Sequence, residues 1–180
     1  NLIEIFIKAK DSPGLFYKLL KVLEHAGLEV IDANIFTSIK KEFAANTFIT
    51  KYSRHDRVLK KSELIELTSK IKINFNKFDK IEISNSNMID NSKFEKIIKI
   101  DESIIKDKNR NLITIETVDS SGLLANIAKV FFDNNVSIYS ARINTLGERV
   151  EDTFEVENFN KKLVPKYKVK KIISELRKVV

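Results

Sequence analysis

An internal repeat constrains this chain more than any other feature. Asp119, Ser120, Gly122, Leu123, Lys129, Val130, Ala141, Ile143 and Thr145 restate the residues 108 positions earlier, and Thr153 and Phe154 restate Thr47 and Phe48 at an offset of 106. Residues 119–154 therefore follow the plan of residues 11–48: a turn, a helix, a strand, a short turn and a second strand. The second copy is two residues shorter between its strands, in a loop, where length changes are tolerated. The repeat divides the 180 residues into two units of about 80 to 90, near the lower end of comfortable domain size.

The first unit opens on LIEIFIKA, an apolar, partly alternating strand at residues 2–9. Asp11 and Ser12 are candidate helix caps, and Pro13 suits the first turn. Leu15, Phe16, Leu19, Leu20, Val22 and Leu23 form a helical stripe that Gly27 closes. Strands are expected over 28–39 and 43–52. A second helix is expected over 62–78, with Leu64, Ile65, Leu67, Ile71 and Phe75 inward, and a fourth strand over 80–84. The unit then reads βαββαβ, a ferredoxin-like pattern.

Residues 85–92 are polar and read as a linker between a first domain at 1–84 and a second at 93–180. A strand is expected over 93–101, a charged loop over 102–111, and a cleanly alternating strand over 111–118. The last helix starts at Val164 or Pro165 and turns Val169, Ile172, Ile173, Leu176 and Val179 inward. The second unit has no fourth strand of its own after that helix, which leaves a sheet edge open. Residues 94–101, antiparallel to 112–118, are expected to fill it. The fold class is thus α+β: two ferredoxin-like units, sheet on one side and helices on the other.

Composition excludes several functions. There is no Cys, hence no disulfide frame, thiolate metal site or Cys nucleophile, which suits a cytoplasmic location. No apolar run approaches the ~20 residues needed to span a bilayer, and no basic leader precedes Leu2, so no membrane is expected as a partner. The chain begins at Asn1 and its only Met is Met88, which suggests a piece of a longer protein. The net charge of +7 comes from Lys scattered among Glu and Asp rather than from clustered Arg, so nucleic acid is not expected as a partner. The third strands, FAANTFIT and RVEDTFEVE, also lack the aromatic pattern of an RNA-binding sheet. No catalytic residues are assigned: His25 and His55 have no nucleophile in a recognisable setting. No metal ligands are assigned either, since Glu151 and Asp152 are consecutive on a strand and point to opposite faces. With Glu148 they read as a solvated hairpin.

The candidate ligand site is the Asp-x-x-Gly-Leu turn, present twice as Asp11, Gly14, Leu15 and as Asp119, Gly122, Leu123. A helix start exposes backbone N–H groups and a partial positive charge. Gly without a Cβ lets a ligand approach that backbone, and the Asp is free to cap the turn or to hold an ammonium group. A plain structural turn is the alternative reading. Asn34 and Arg142 stand at equivalent positions on the second strands, with Asp32 and Ser140. They line either a pocket between paired sheets or an ordinary solvent face.

The motif D-S-P-G-L followed by A-N-I-F-T resembles the ACT domains, small ferredoxin-like modules that bind amino acids. I-N-T-L-G-E-R-V-E-D-T-F at residues 143–154 is more specific. It is similar to the last ACT domain of the bacterial family of bifunctional PII uridylyltransferase/uridylyl-removing enzymes, and the first copy is similar to their penultimate one. The resemblance covers the whole chain and departs at Ser120-Ser121, where the family has Arg-Pro, and at Asn46, where it has Asp. It implies a glutamine-sensing tandem that controls upstream nucleotidyltransferase and hydrolase domains of the same chain, and through them the PII protein. No cofactor is implied for this part; Mg and UTP belong to the catalytic domains. Glutamine is the implied effector, and a homodimer through ACT pairing is an implied partner. The helix-start amides at Gly14 and Gly122 would hold the ligand, Asp11 and Asp119 its ammonium or the turn, and Asn34 and Arg142 the far wall. The rival readings are a ligand-free interaction module and a stand-alone amino-acid-responsive regulator.

Overall fold

A computed structural model describes residues 2–38, 40, 42–52, 57–78, 99–106, 109–120, 122–147 and 149–180. Its strands are β1 (Leu2–Lys10), β2 (Leu28–Thr37), β3 (Phe43–Tyr52), β4 (Lys99–Ile105), β5 (Arg110–Val118), β6 (Val136–Leu146) and β7 (Arg149–Asn158). Its helices are α1 (Leu15–Ala26), α2 (Lys61–Asn76), α3 (Leu123–Asp133) and α4 (Lys166–Leu176). The fold is the expected α+β pair of ferredoxin-like, ACT-type units. The strand expected at 80–84 and the linker at 85–92 lie outside the described residues, as do residues 94–98. None of the described helices is long and apolar enough to cross a membrane.

The strands form one antiparallel sheet in the order β1-β3-β2-β6-β7-β5-β4. The two units join edge to edge within the chain, where Ala33 pairs with Ile143 and Ile35 with Ala141. All four side chains are buried, because strand alternation sends them to the face that the helices cover. The same alternation buries Ala44, Asn46, Phe48 and Thr50 on β3 and Val150, Asp152, Phe154 and Val156 on β7. A single apolar core, with Phe48, Phe131 and Phe154 fully enclosed, runs through both units.

The open edge of the second unit is filled as expected but farther along the chain. β4 pairs antiparallel with β5 from Lys99↔Glu116 to Ile105↔Arg110, so residues 102–105 are strand and not charged loop. Their alternation is hidden because Asp101, Glu102 and Ser103 are consecutive polar residues on an exposed edge strand. In α2 only Leu67 is buried, while Leu64 and Ile65 face solvent. The expected inward stripe there is thus narrower and rests on Leu67, Ile71 and Phe75.

Buried Asn111 ties this end of the molecule together. Its Nδ2 donates to Glu102 Oε1 at 2.9 Å, and its Oδ1 accepts from the Val164 N–H at 2.9 Å. It thus links β5 to β4 and to the entry of α4. Asn111→Ala strands a buried N–H and is expected to cost about 1–3 kcal/mol, measured as a shift in the urea midpoint.

Candidate functional site

Both helices that follow the repeated turn begin at glycine. Gly14 and Gly122 are the N-caps of α1 and α3, with φ of 75° and 77°, and no side chain among the described residues caps either helix. This corrects the expected caps at Asp11 and Ser12. The turn closes instead through backbone, Leu15 N–H to Ser12 O at 3.1 Å and Leu123 N–H to Ser120 O at 3.0 Å. Glycine is needed first because that left-handed conformation strains any other residue. Leu15 and Leu123 turn inward and are buried.

The two turns sit at pseudo-equivalent junctions between the units, but their surroundings differ. Beside Asp119 and Gly122 lies a cavity of about 220 Å³. Its walls come from both units: Leu20, Glu24 and residues 27–30 from the first, and Asp119, Ser120, residues 122–125, Ile143, Thr145, Val150 and Asp152 from the second. Beside Asp11 and Gly14 the corresponding space is about 20 Å³, close to the minimum that holds one water. The same positions explain the difference when the copies are laid over each other. Tyr17 stands where the second copy has Ala125, and Phe132 stands where the first has Glu24. The Phe132 ring lies against Gly14, whose added Cβ would meet it at 2.5 Å, whereas a Cβ on Gly122 meets nothing within 4 Å among the described residues.

Acidic groups dominate the open cavity. Asp152 is 1% exposed, and its Oδ1 accepts from the Asn144 N–H at 3.3 Å. Burial, together with the Asp119 charge and against the help of that hydrogen bond, pushes its pKa up to about 7. Asp119, at the rim, is also raised, by partial burial first and then by the Glu29 charge, with the Ser120 backbone pulling the other way. The burial of Asp152 corrects the solvated hairpin expected there from the sequence. Its alternation with Val150, Phe154 and Val156 marks it as inward, and its counterpart in the first copy is Asn46, which donates from Nδ2 to Ile7 O at 3.2 Å.

Asn34 and Arg142 do not line this cavity. They pair with each other across the β2–β6 junction and are exposed on the face opposite to Ala33 and Ile143. Of the residues singled out in the sequence, Asp119, Gly122 and Leu123 thus meet at the open cavity, Asp11, Gly14 and Leu15 at the closed one, and Asn34 and Arg142 at neither.

No family model matches the chain. Over 178 residues, 98% of its length, it is 28% identical to the bifunctional uridylyltransferase/uridylyl-removing enzyme of Psychrobacter sp. (strain PRwf-1), of which it covers 20%. Over 161 residues it is 31% identical to the enzyme of the same description from Vibrio parahaemolyticus serotype O3:K6, covering 84% of this chain and 17% of that one. The chain is homologous to a segment of these enzymes and spans about a fifth of their length. Among solved structures, aspartate kinase from Synechocystis shares the fold with a TM-score of 0.53 at 14% identity, over 98% of this chain and 26% of that one.

Proposed function

We propose that this chain is the amino-acid-sensing regulatory tandem of a bifunctional uridylyltransferase/uridylyl-removing enzyme, and that glutamine binds in the cavity beside Asp119. One observation carries the reading: a buried carboxylate, Asp152, faces an open helix start across a cavity that both units build. An α-amino acid complements that pair. Its ammonium meets Asp152 and Asp119, which supply the negative charge that a buried cation requires. Its carboxylate meets the N–H groups that follow Gly122, where a helix start favours an anion.

The ligand touches both units, so binding stiffens the junction between them. In the parent enzyme that change would be read by the catalytic domains, which add UMP to PII protein or remove it, with Mg and UTP bound there. The first unit favours the rival role. Its turn is closed by side chains, so it serves as a docking half without a ligand of its own.

The acidic rim also sets selectivity. Glu29 and Asp119 line the cavity, as does Glu24, which is paired with Lys21, so a side-chain carboxylate is repelled chiefly by Glu29 and Asp119 where an amide is accepted. Glutamine is expected to bind at least about tenfold more tightly than glutamate, a difference of about 1.4 kcal/mol. Thermal shift with glutamine, glutamate and serine tests this. Equal shifts for glutamine and glutamate would remove the rim carboxylates from the recognition, and no shift at millimolar glutamine would remove the sensing role from this chain.

A further inference from the structure

We propose that the Phe132 ring is the resident occupant of a second, degenerate binding site at the Gly14 turn, and that this site takes a small uncharged aromatic molecule once the ring is removed. The backbone cradle is the same at both turns: a left-handed glycine, then a helix start. At Gly122 the cradle faces an open cavity, and at Gly14 it faces a ring edge only 2.5 Å from where a Cβ would stand. Gly14 therefore meets two demands, the positive φ and the close approach of Phe132, while Gly122 meets only the first. Phe132 comes from α3, on the other unit. It stacks on Tyr17 at 6.0 Å between centroids and tilts against Phe159 at 6.2 Å.

The occupant has replaced the ligand chemistry as well as the ligand. Where the open site has the buried carboxylate of Asp152, this one has Asn46, whose amide is already bonded to Ile7 O. An ammonium group finds Asp11 at the turn itself, but among the described residues no buried carboxylate stands where Asp152 stands in the open site. A void left by Phe132 keeps aromatic walls on two sides and a bare backbone on the third, which suits a flat apolar molecule. The ring is 39% exposed, so its removal opens the site to solvent without emptying the core. That the tandem then takes one amino acid per chain rests on the reading given under Proposed function; the closed site does not.

A double-mutant cycle with Gly14→Ala and Phe132→Ala, read by Tm, tests the contact without any ligand. Gly14→Ala is expected to lower Tm more in the original chain than in the Phe132→Ala background, because the collision is gone while the φ strain remains. Gly122→Ala carries the φ strain alone and is expected to match the smaller loss. Indole then probes the void: it is expected to raise the Tm of Phe132→Ala by about 2 °C or more and to leave the original chain unchanged. Additive losses in the cycle, or an equal indole response in both chains, would overturn the proposal. Phe132→Val, with a smaller void, serves the same cycle if Phe132→Ala does not fold. No arm uses an amino acid, so failure here is separable from failure of glutamine binding.

Discussion

Asp152→Asn is expected to abolish amino-acid binding and at the same time make the protein more stable at alkaline pH. The two effects share one cause. The Asp152 carboxyl is buried with no cationic side chain beside it among the described residues, and its pKa stands at about 7 against 3.8 for a free carboxyl. The unfolded chain therefore releases this proton at lower pH than the folded chain does. Between pH 4 and 7 the folded state holds more protons, so stability falls as pH rises through that window and levels off above it. A shift of about three units corresponds to at most ~4 kcal/mol at pH 8. Asn keeps the size and removes the charge, as Asn46 does in the first unit. The urea midpoint of the Asn variant at pH 8 is expected to exceed that of the parent, and the difference is expected to vanish near pH 4. The ligand ammonium, in contrast, loses its buried partner, a loss of about 2–5 kcal/mol in comparable buried pairs and so about thirtyfold to several thousandfold in affinity. A variant that binds glutamine as well as the parent would show that Asp152 is a structural carboxyl with no ligand to meet.

Gly122→Val closes the same site from the other wall. The new side chain enters open space beside the cavity, since no atom of the described residues lies within 4 Å of a Cβ there. Its Cβ is therefore free of collision, and its methyl groups are expected to crowd the approach to the helix-start amides. The φ of 77° adds strain of about 1–2 kcal/mol for a residue with a Cβ, and β-branching makes Val a poor occupant of that region. Binding is expected to fall below detection by calorimetry while the cooperative unfolding transition survives at a lower Tm. An exposed control such as Lys72→Ala is expected to leave both unchanged. Retained binding in Gly122→Val would place the ligand elsewhere.

Much of this arrangement is legible in the residues. The offset of 108 reveals two units, and helical and strand periods locate nearly every element within them. The edge strand is half legible: its antiparallel pairing with β5 follows from the open sheet edge, but in β4 consecutive polar residues erase the period of two and hide that the strand runs on to Ile105. The joining of β2 to β6 is a choice between sheet edges that no local pattern encodes. The site was half visible. The Asp-x-x-Gly turn announces itself, yet it announces both copies equally. What separates them is Tyr17 against Ala125, Phe132 against Glu24 and Asn46 against Asp152, and these contrasts appear only when the copies are superposed as facing walls of two junctions. Asn34 and Arg142 drew attention as equivalent polar residues, but alternation allowed either face, and packing chose the one without helices.

Calorimetric titration of the chain with glutamine, at pH 8 and again at pH 6, tests the central claim most directly. A carboxyl with a pKa of about 7 must give up its proton to hold an ammonium group. Binding of one glutamine per chain is therefore expected at pH 8 and about tenfold weaker at pH 6, where it releases close to one proton per ligand. No heat at millimolar glutamine, or an affinity with no dependence on pH over that interval, would contradict it.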